Sequence, residues 1–334
     1  MNGLSLSNKL NLTSLPTPLE PLSNLSRALG IDLWIKRDDL TSPAGGGNKV
    51  RKLEFLLAEA VSQAARAVIT IGAVQSNHCR QTSLLARKLG MEAHLVLVGE
   101  TPSRPEGNLL LSQLGGAVFH FGSHDFEEGQ ANLQRITQEL KELDKRPYLI
   151  PYGGSNRLGV QGYMAAYEEL QEQARIRGIS FDWIVHSSSS GGTQAGLLLA
   201  QEIIGGNEKV IGISAGPCAA DLITNITTLI RDTAQFLAVP STLTTAGILI
   251  RDQFVGPGYA YLDGKTVDAI RIMARQEAIL LDPVYTGKAF AGLLALARTH
   301  QVGGHVLFWH TGGIPALYSF ADALGQIGAN GCSD

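Results

Sequence analysis

Residues 183–193 read Trp183-Ile184-Val185-His186-Ser187-Ser188-Ser189-Ser190-Gly191-Gly192-Thr193, and an apolar stretch of helical spacing opens at Ala195. The first four residues have the aromatic and β-branched character of a short strand; the small residues turn the chain; residues 193–204 then form a helix. A turn between a strand and a helix sees the helix's unpaired N–H groups and the positive end of its dipole. Serine and threonine hydroxyls add donors, and glycine lets backbone come close to a ligand. Ser190, Gly191, Gly192 and Thr193 therefore read as an anion cradle, and equally as a polar turn with an ordinary helix cap. The Gly-Lys-Ser/Thr ending of a P-loop is missing, and so is Gly-x-Gly-x-x-Gly.

Outward from this unit the same alternation continues in both directions. Strands are expected at residues 33–36, 67–71, 93–98, 117–121, 148–150, 183–186, 210–213 and 305–309. Helices are expected at 48–65, 79–89, 126–143, 158–177, 193–204, 265–279, 288–300 and 314–324, the first with Val50, Leu53, Leu57, Ala60 and Val61 on one stripe. Alternation of this length predicts an α/β fold: open, twisted, mostly parallel sheets flanked by helices. No fixed-period repeat and no Pro/Ser-rich linker marks a boundary, so any passage between domains runs through short glycine turns such as 45–47 and 153–154.

The chain has 334 residues, 44% hydrophobic and 17% charged, enough for a sizeable core. A net charge of −3 gives no reason to expect nucleic acid or an anionic membrane as partner. No apolar run is long enough to span a bilayer, and residues 1–16 lack a basic stretch followed by an apolar one. Three cysteines, Cys79, Cys218 and Cys332, make no disulfide framework, and a cytoplasmic setting is expected. Histidine and cysteine spacing matches no zinc pattern.

In open α/β sheets ligands sit beyond the carboxyl ends of the strands. After 67–71 comes Gly72-Ala73-Val74-Gln75-Ser76-Asn77-His78, a second polar helix entrance that could hold a carboxylate; Ser76 or Asn77 also reads as a plain N-cap. After 305–309 comes His310-Thr311-Gly312-Gly313, where a capping Thr311 is the simpler reading. Gly45-Gly46-Gly47-Asn48-Lys49 opens the first long helix. A lysine there opposes the helix dipole, which lowers its pKa, and a lysine of lowered pKa is the kind that forms Schiff bases. Asp38-Asp39 reads as a solvated turn, since neighbours at a strand end point apart. Cys79 reads as a small buried hydrophobe.

Four segments, 45–54 (Gly-Gly-Gly-Asn-Lys-Val-Arg-Lys-Leu-Glu), 75–81 (Gln-Ser-Asn-His-Cys-Arg-Gln), 282–289 (Asp-Pro-Val-Tyr-Thr-Gly-Lys-Ala) and 310–317 (His-Thr-Gly-Gly-Ile-Pro-Ala-Leu), resemble the D-cysteine desulfhydrase / 1-aminocyclopropane-1-carboxylate (ACC) deaminase family. The resemblance runs from about Pro18 to Leu317. That family belongs to the tryptophan-synthase-β-like enzymes of fold type II, which use pyridoxal 5'-phosphate (PLP). It implies two domains, a large one from 1–50 plus 158–334 and a small insert at 51–157, and a homodimer. It implies that Lys49 holds PLP as a Schiff base, that Asn77 bonds the cofactor's phenolic oxygen, and that Ser190 to Thr193 hold its phosphate. It implies that Ser76, with Asn77 and His78, receives the carboxylate of a small amino-acid substrate, and that Tyr285 and Tyr259 (in Gly-Pro-Gly-Tyr) stand near that substrate.

Within the family, ACC deaminases are expected to carry Tyr-Glu where this chain has Tyr285-Thr286, and His-Leu-Gly-Gly where it has His310-Thr311. A threonine, Thr311 or Thr286, then replaces a carboxylate at the pyridine nitrogen, which resembles the D-cysteine desulfhydrase branch. The expected reaction is β-elimination from D-cysteine to pyruvate, hydrogen sulfide and ammonia. The alternatives are ACC deaminase, L-cysteate sulfo-lyase, and a non-catalytic PLP- or amino-acid-binding homologue, against which Lys49 argues.

Overall fold

The computed structural model describes residues 4–324, so Cys332 lies outside the described residues. Among the described residues ten strands form two sheets. The larger takes β1 (Leu19–Pro21), β2 (Asp32–Arg37), β7 (Trp183–Ser188), β8 (Lys209–Ser214), β9 (Leu249–Arg251) and β10 (His305–His310), in the order β1-β2-β10-β7-β8-β9. All its pairings are parallel except β1 with β2. The smaller takes β3 (Ala67–Ala73), β4 (Glu92–Val98), β5 (Val118–Ser123) and β6 (Pro147–Leu149), parallel throughout, in the order β5-β4-β3-β6. The helices are α1 (Ser23–Leu29), α2 (Lys49–Ser62), α3 (Asn77–Lys88), α4 (Gly107–Leu114), α5 (Phe126–Glu142), α6 (Gln161–Arg177), α7 (Gly192–Ile204), α8 (Ala219–Leu237), α9 (Gly264–Glu277), α10 (Thr286–Arg298), and the single turns α11 (Ile314–Leu317) and α12 (Ala321–Leu324). Among the described residues no helix is long and apolar enough to cross a membrane.

Parallel strands are covered on both faces, so they read as unbroken apolar runs. In β10, Leu307 and Trp309 pack with α6, α7 and α8, while Val306 and Phe308 pack with α9 and α10. In β3, Val68 joins the core formed with α2 and α3, while Ile69 and Ile71 meet Leu133, Ile136 and Leu140 of α5. Each fully buried leucine, isoleucine or phenylalanine contributes about 1.5–3 kcal/mol relative to exposure.

Two expectations are corrected. Val61 lies off the apolar stripe and is 48% exposed, because one residue past the buried Ala60 the helix has rotated about 100° towards solvent. Asp38 is no solvated turn: it is fully buried beneath α2, where its carboxylate accepts hydrogen bonds from Arg51, Tyr163, Trp309 and Thr17 at 2.7–2.9 Å. Burial alone would raise this carboxyl, but Arg51, Lys36 and the Tyr163 hydroxyl together outweigh it and hold the group below its usual range. Asp39 turns the other way and pairs with Arg37 at 2.7 Å. The Asp38 cluster ties the end of β2 to α2, α6 and β10. It therefore fixes the first turn of α2, where Lys49 lies.

Candidate active site

The strand ends of both sheets converge on one cavity. Residues 187–191 and Thr193 after β7, Ala73 and residues 76–78 after β3, Tyr152 and Gly153 beyond β6, and Thr311 and Gly312 after β10 line it, together with Asn48 and Lys49. Lys49 is the first residue of α2, and the backbone N–H of Asn48 donates to the carbonyl of Thr311 at 2.9 Å. Lys49 faces the cavity, surrounded closely enough that burial lowers its amine to about 8. Its Nζ makes no hydrogen bond among the described residues.

Around the start of α7 the donors are concentrated. Gly191 caps the helix at φ +80°, a backbone region that favours glycine. Ser190 and Ser155 hydroxyls meet at 2.8 Å, and Lys52 Nζ donates to Ser155 Oγ at 3.1 Å. Burial, and then the neighbouring Lys49 charge, push the Lys52 amine far down. The hydroxyls of Ser187 and Ser188 are buried without a partner among the described residues. Gly153 has φ +64°; a Cβ there would collide with Ser190 Oγ and stand 3.5 Å from Lys49 Nζ. Gly192 lies just behind the lining, where a Cβ would come within 2.8 Å of Lys52 Nζ.

The second entrance serves two purposes. Ser76 caps α3 by accepting from the Cys79 N–H at 3.2 Å, and it also lines the cavity with Asn77 and His78. His78 shares a 2.9 Å hydrogen bond with Thr70; burial, with the Lys49 and Lys52 charges, keeps its ring neutral. Cys79 is buried and its thiol is pushed up to about 12, so it stays protonated. The Tyr259 and Tyr285 hydroxyls also reach the cavity, where they lie 2.6 Å apart, and burial raises both phenols. Thr311 faces the cavity, but Thr286 does not. Its hydroxyl donates to Asp282 at 2.7 Å and accepts from the Asp282 N–H at 2.9 Å, because it belongs to the first turn of α10.

Lys49, Ser76, Asn77, His78, Ser190, Gly191, Thr193, Tyr259, Tyr285 and Thr311 are thus brought together, with Gly192 behind them and Thr286 apart. Lys52, Ser155, Tyr152 and Asn48 were not anticipated. Lys52 carried a readable signal, since a residue three after Lys49 shares its helix face. Ser155 had none, because it meets Lys52 only in the fold.

The lining offers donors and no carboxylate. Orphaned serines, glycines with no room for a Cβ, and two crowded lysines suit a ligand with a phosphate and an aldehyde beside an amino acid's carboxylate. The residues fit pyridoxal phosphate. Residues 10–312 match the model of the family described as pyridoxal-phosphate dependent enzyme. The chain belongs to this family.

Several relatives share most of the chain's length. A protein of Pyrococcus horikoshii provisionally named 1-aminocyclopropane-1-carboxylate deaminase is 40% identical over 317 residues, 95% of each chain. A D-cysteine desulfhydrase of Serratia proteamaculans is 37% identical over 319 residues, 93% of this chain and 96% of its own. A solved structure described as an ACC deaminase homologue is 39% identical and covers 95% of both chains with a TM-score of 0.89. The two-sheet fold is that of the fold-type-II PLP enzymes.

Proposed function

We infer that this protein is a PLP-dependent lyase that removes sulfide from D-cysteine, giving pyruvate, hydrogen sulfide and ammonia with the uptake of water. Lys49 would hold the cofactor, and its amine, when free, would take the proton from Cα of the bound amino acid; a pKa near 8 suits a base. Pyridoxal phosphate supplies the electron sink for the broken Cα–H bond. Ser190, Gly191, Gly192, Thr193 and Lys52 hold its phosphate, and Asn77 its phenolic oxygen. Ser76, with Asn77 and His78, receives the substrate carboxylate. The Tyr259–Tyr285 pair faces the substrate with both phenols protonated.

The observation that carries the choice of substrate is the hydroxyl of Thr311 at the end of β10, in a lining without a carboxylate. A carboxylate would keep the pyridine nitrogen protonated and the sink strong; a neutral hydroxyl does not. A weaker sink suffices when a good leaving group on Cβ departs quickly, as sulfide does. Opening a cyclopropane ring asks for more. A second reading, ACC deaminase, is favoured by the name of the Pyrococcus relative. The family resemblance also supports a homodimer, which light scattering would show as twice the chain mass.

The test is a parallel assay of PLP-loaded protein with D-cysteine, L-cysteine and ACC, following sulfide and keto acids. Sulfide and pyruvate from D-cysteine without 2-oxobutyrate from ACC is the expected result. Appreciable 2-oxobutyrate would overturn the substrate assignment and leave the cofactor assignment standing.

A further inference from the structure

Helix α10 meets the cavity at one point and grips a neighbouring loop at another. Tyr285, the residue before it, places its hydroxyl 2.6 Å from that of Tyr259, with the two rings edge to face. One turn further on, Lys288 reaches back with Nζ 2.6 Å from the carbonyl of Val255 and 2.7 Å from that of Gly258, the residue before Tyr259. Lys288 is 1% exposed. Its two acceptors are neutral carbonyls rather than a carboxylate, so the contact is not a salt bridge that closes the core. A buried ammonium is costly unless hydrogen-bonded, and its several donors suit it to fixing more than one carbonyl. Residues 252–263 between β9 and α9 form no helix or strand, so their shape depends on such tertiary contacts. Gly256 within them stands at φ +70°, a conformation that nothing in a regular element would maintain.

We propose that Lys288 is a positioning residue: by holding the Val255 and Gly258 carbonyls it sets where the Tyr259 hydroxyl stands against Tyr285 and the substrate. The inference rests on the reading above, in which the tyrosine pair faces the reacting amino acid. Lys288 touches neither Lys49 nor the phosphate cradle. Its removal therefore leaves cofactor capture intact and changes turnover alone.

The experiment is a double-mutant cycle on PLP-loaded protein, assayed with whichever of D-cysteine and ACC it turns over. Lys288→Met keeps the aliphatic stem and removes the donors. Because a shift of about 1 Å at a positioned group costs on the order of 100-fold, kcat/KM should fall by about that factor, with PLP affinity and cofactor absorbance unchanged. Lys288→Arg should restore part of the loss. In a Tyr259→Phe background the same Lys288→Met change should cost less than roughly threefold more, since coupled residues are not additive. A full additive loss in that background, or wild-type turnover in Lys288→Met, overturns the role given to Lys288. Wild-type turnover in Tyr259→Phe overturns the tyrosine assignment itself and this inference with it, an outcome distinct from the other two. Should Lys288→Met not yield PLP-loaded protein, Lys288→Gln carries the same cycle with the same outcomes.

Discussion

At the scale of single residues, the proposed chemistry begins with how much of the Lys49 amine is free. With a pKa of about 8, roughly a tenth is unprotonated at pH 7, where an ordinary lysine would hold far less. Only the neutral amine attacks an aldehyde. Capture of PLP by the apo-protein should therefore quicken as pH rises from 7 and level off above about 8.5, read as growth of absorbance near the visible edge. A rise continuing past pH 10 would mean that burial does not tune this lysine. Lys49→Ala should show neither the absorbance nor turnover. The two threonines separate cleanly. Thr311→Val removes a hydroxyl from the cavity and should lower turnover by about tenfold, the equivalent of one hydrogen bond, with little change in denaturation midpoint. Thr286→Val takes a donor from the buried Asp282 carboxylate and should cost about 1–3 kcal/mol in urea unfolding while leaving the cofactor spectrum as it is. From sequence the two could not be told apart, because both follow a residue of the same motif set. What separates them is that one ends a strand and the other begins a helix.

At the scale of elements, the functional turns are those whose shape only glycine permits. Gly153→Ala would place a methyl group against Ser190 in a left-handed backbone position, a strain of about 1–3 kcal/mol. PLP affinity should fall by roughly tenfold or more in an absorbance titration; an unchanged affinity would show that the 152–154 turn does not shape the cradle. Helices and strands with a dense apolar pattern were legible in the sequence, among them β3, β7, β10, α2 and α7. Those that escaped did so for two physical reasons. β1 and β9 have three residues each, too few to display a period. α4 has only eight residues and opens on a glycine. α8 has nineteen, but its centre, Ile223-Thr224-Asn225-Ile226-Thr227-Thr228, is rich in residues of low helix propensity. Its stability comes instead from burying Leu222, Ile226 and Ile230 against the large sheet. Asp38 escaped because the guanidinium, hydroxyl and indole N–H that draw its carboxylate into the core come from α2, α6 and β10, which no local pattern reveals.

At the scale of the whole molecule, the cavity takes residues from both sheets, so a bound cofactor joins elements that the chain connects only at a distance. A ligand that binds only the folded state stabilises it by about 2.7 kcal/mol at one hundred times its Kd. For a chain of this size, PLP at that excess should raise the midpoint of thermal unfolding by on the order of 5 °C. Calorimetry of apo and loaded protein measures it, and a shift near zero would show that the cavity does not hold the cofactor in the folded state. The fold class was readable because strand–helix alternation is a long-range regularity made of local signals. The strand order was not, since nothing in residues 32–37 announces that their parallel partner is residues 305–310.

That pairing has a consequence for how the protein is made. β10 lies between β2 and β7 and bonds to both. A chain emerging from the ribosome thus carries its lysine and both anion turns while the centre of the large sheet is still untranslated. Until residue 310 has emerged, β2 and β7 expose unpaired edges on either side of a gap, the state in which growing chains associate with one another. Cofactor capture should accordingly come late in biosynthesis, and chains halted before β10 should be handled by chaperones and proteases rather than act as partial enzymes.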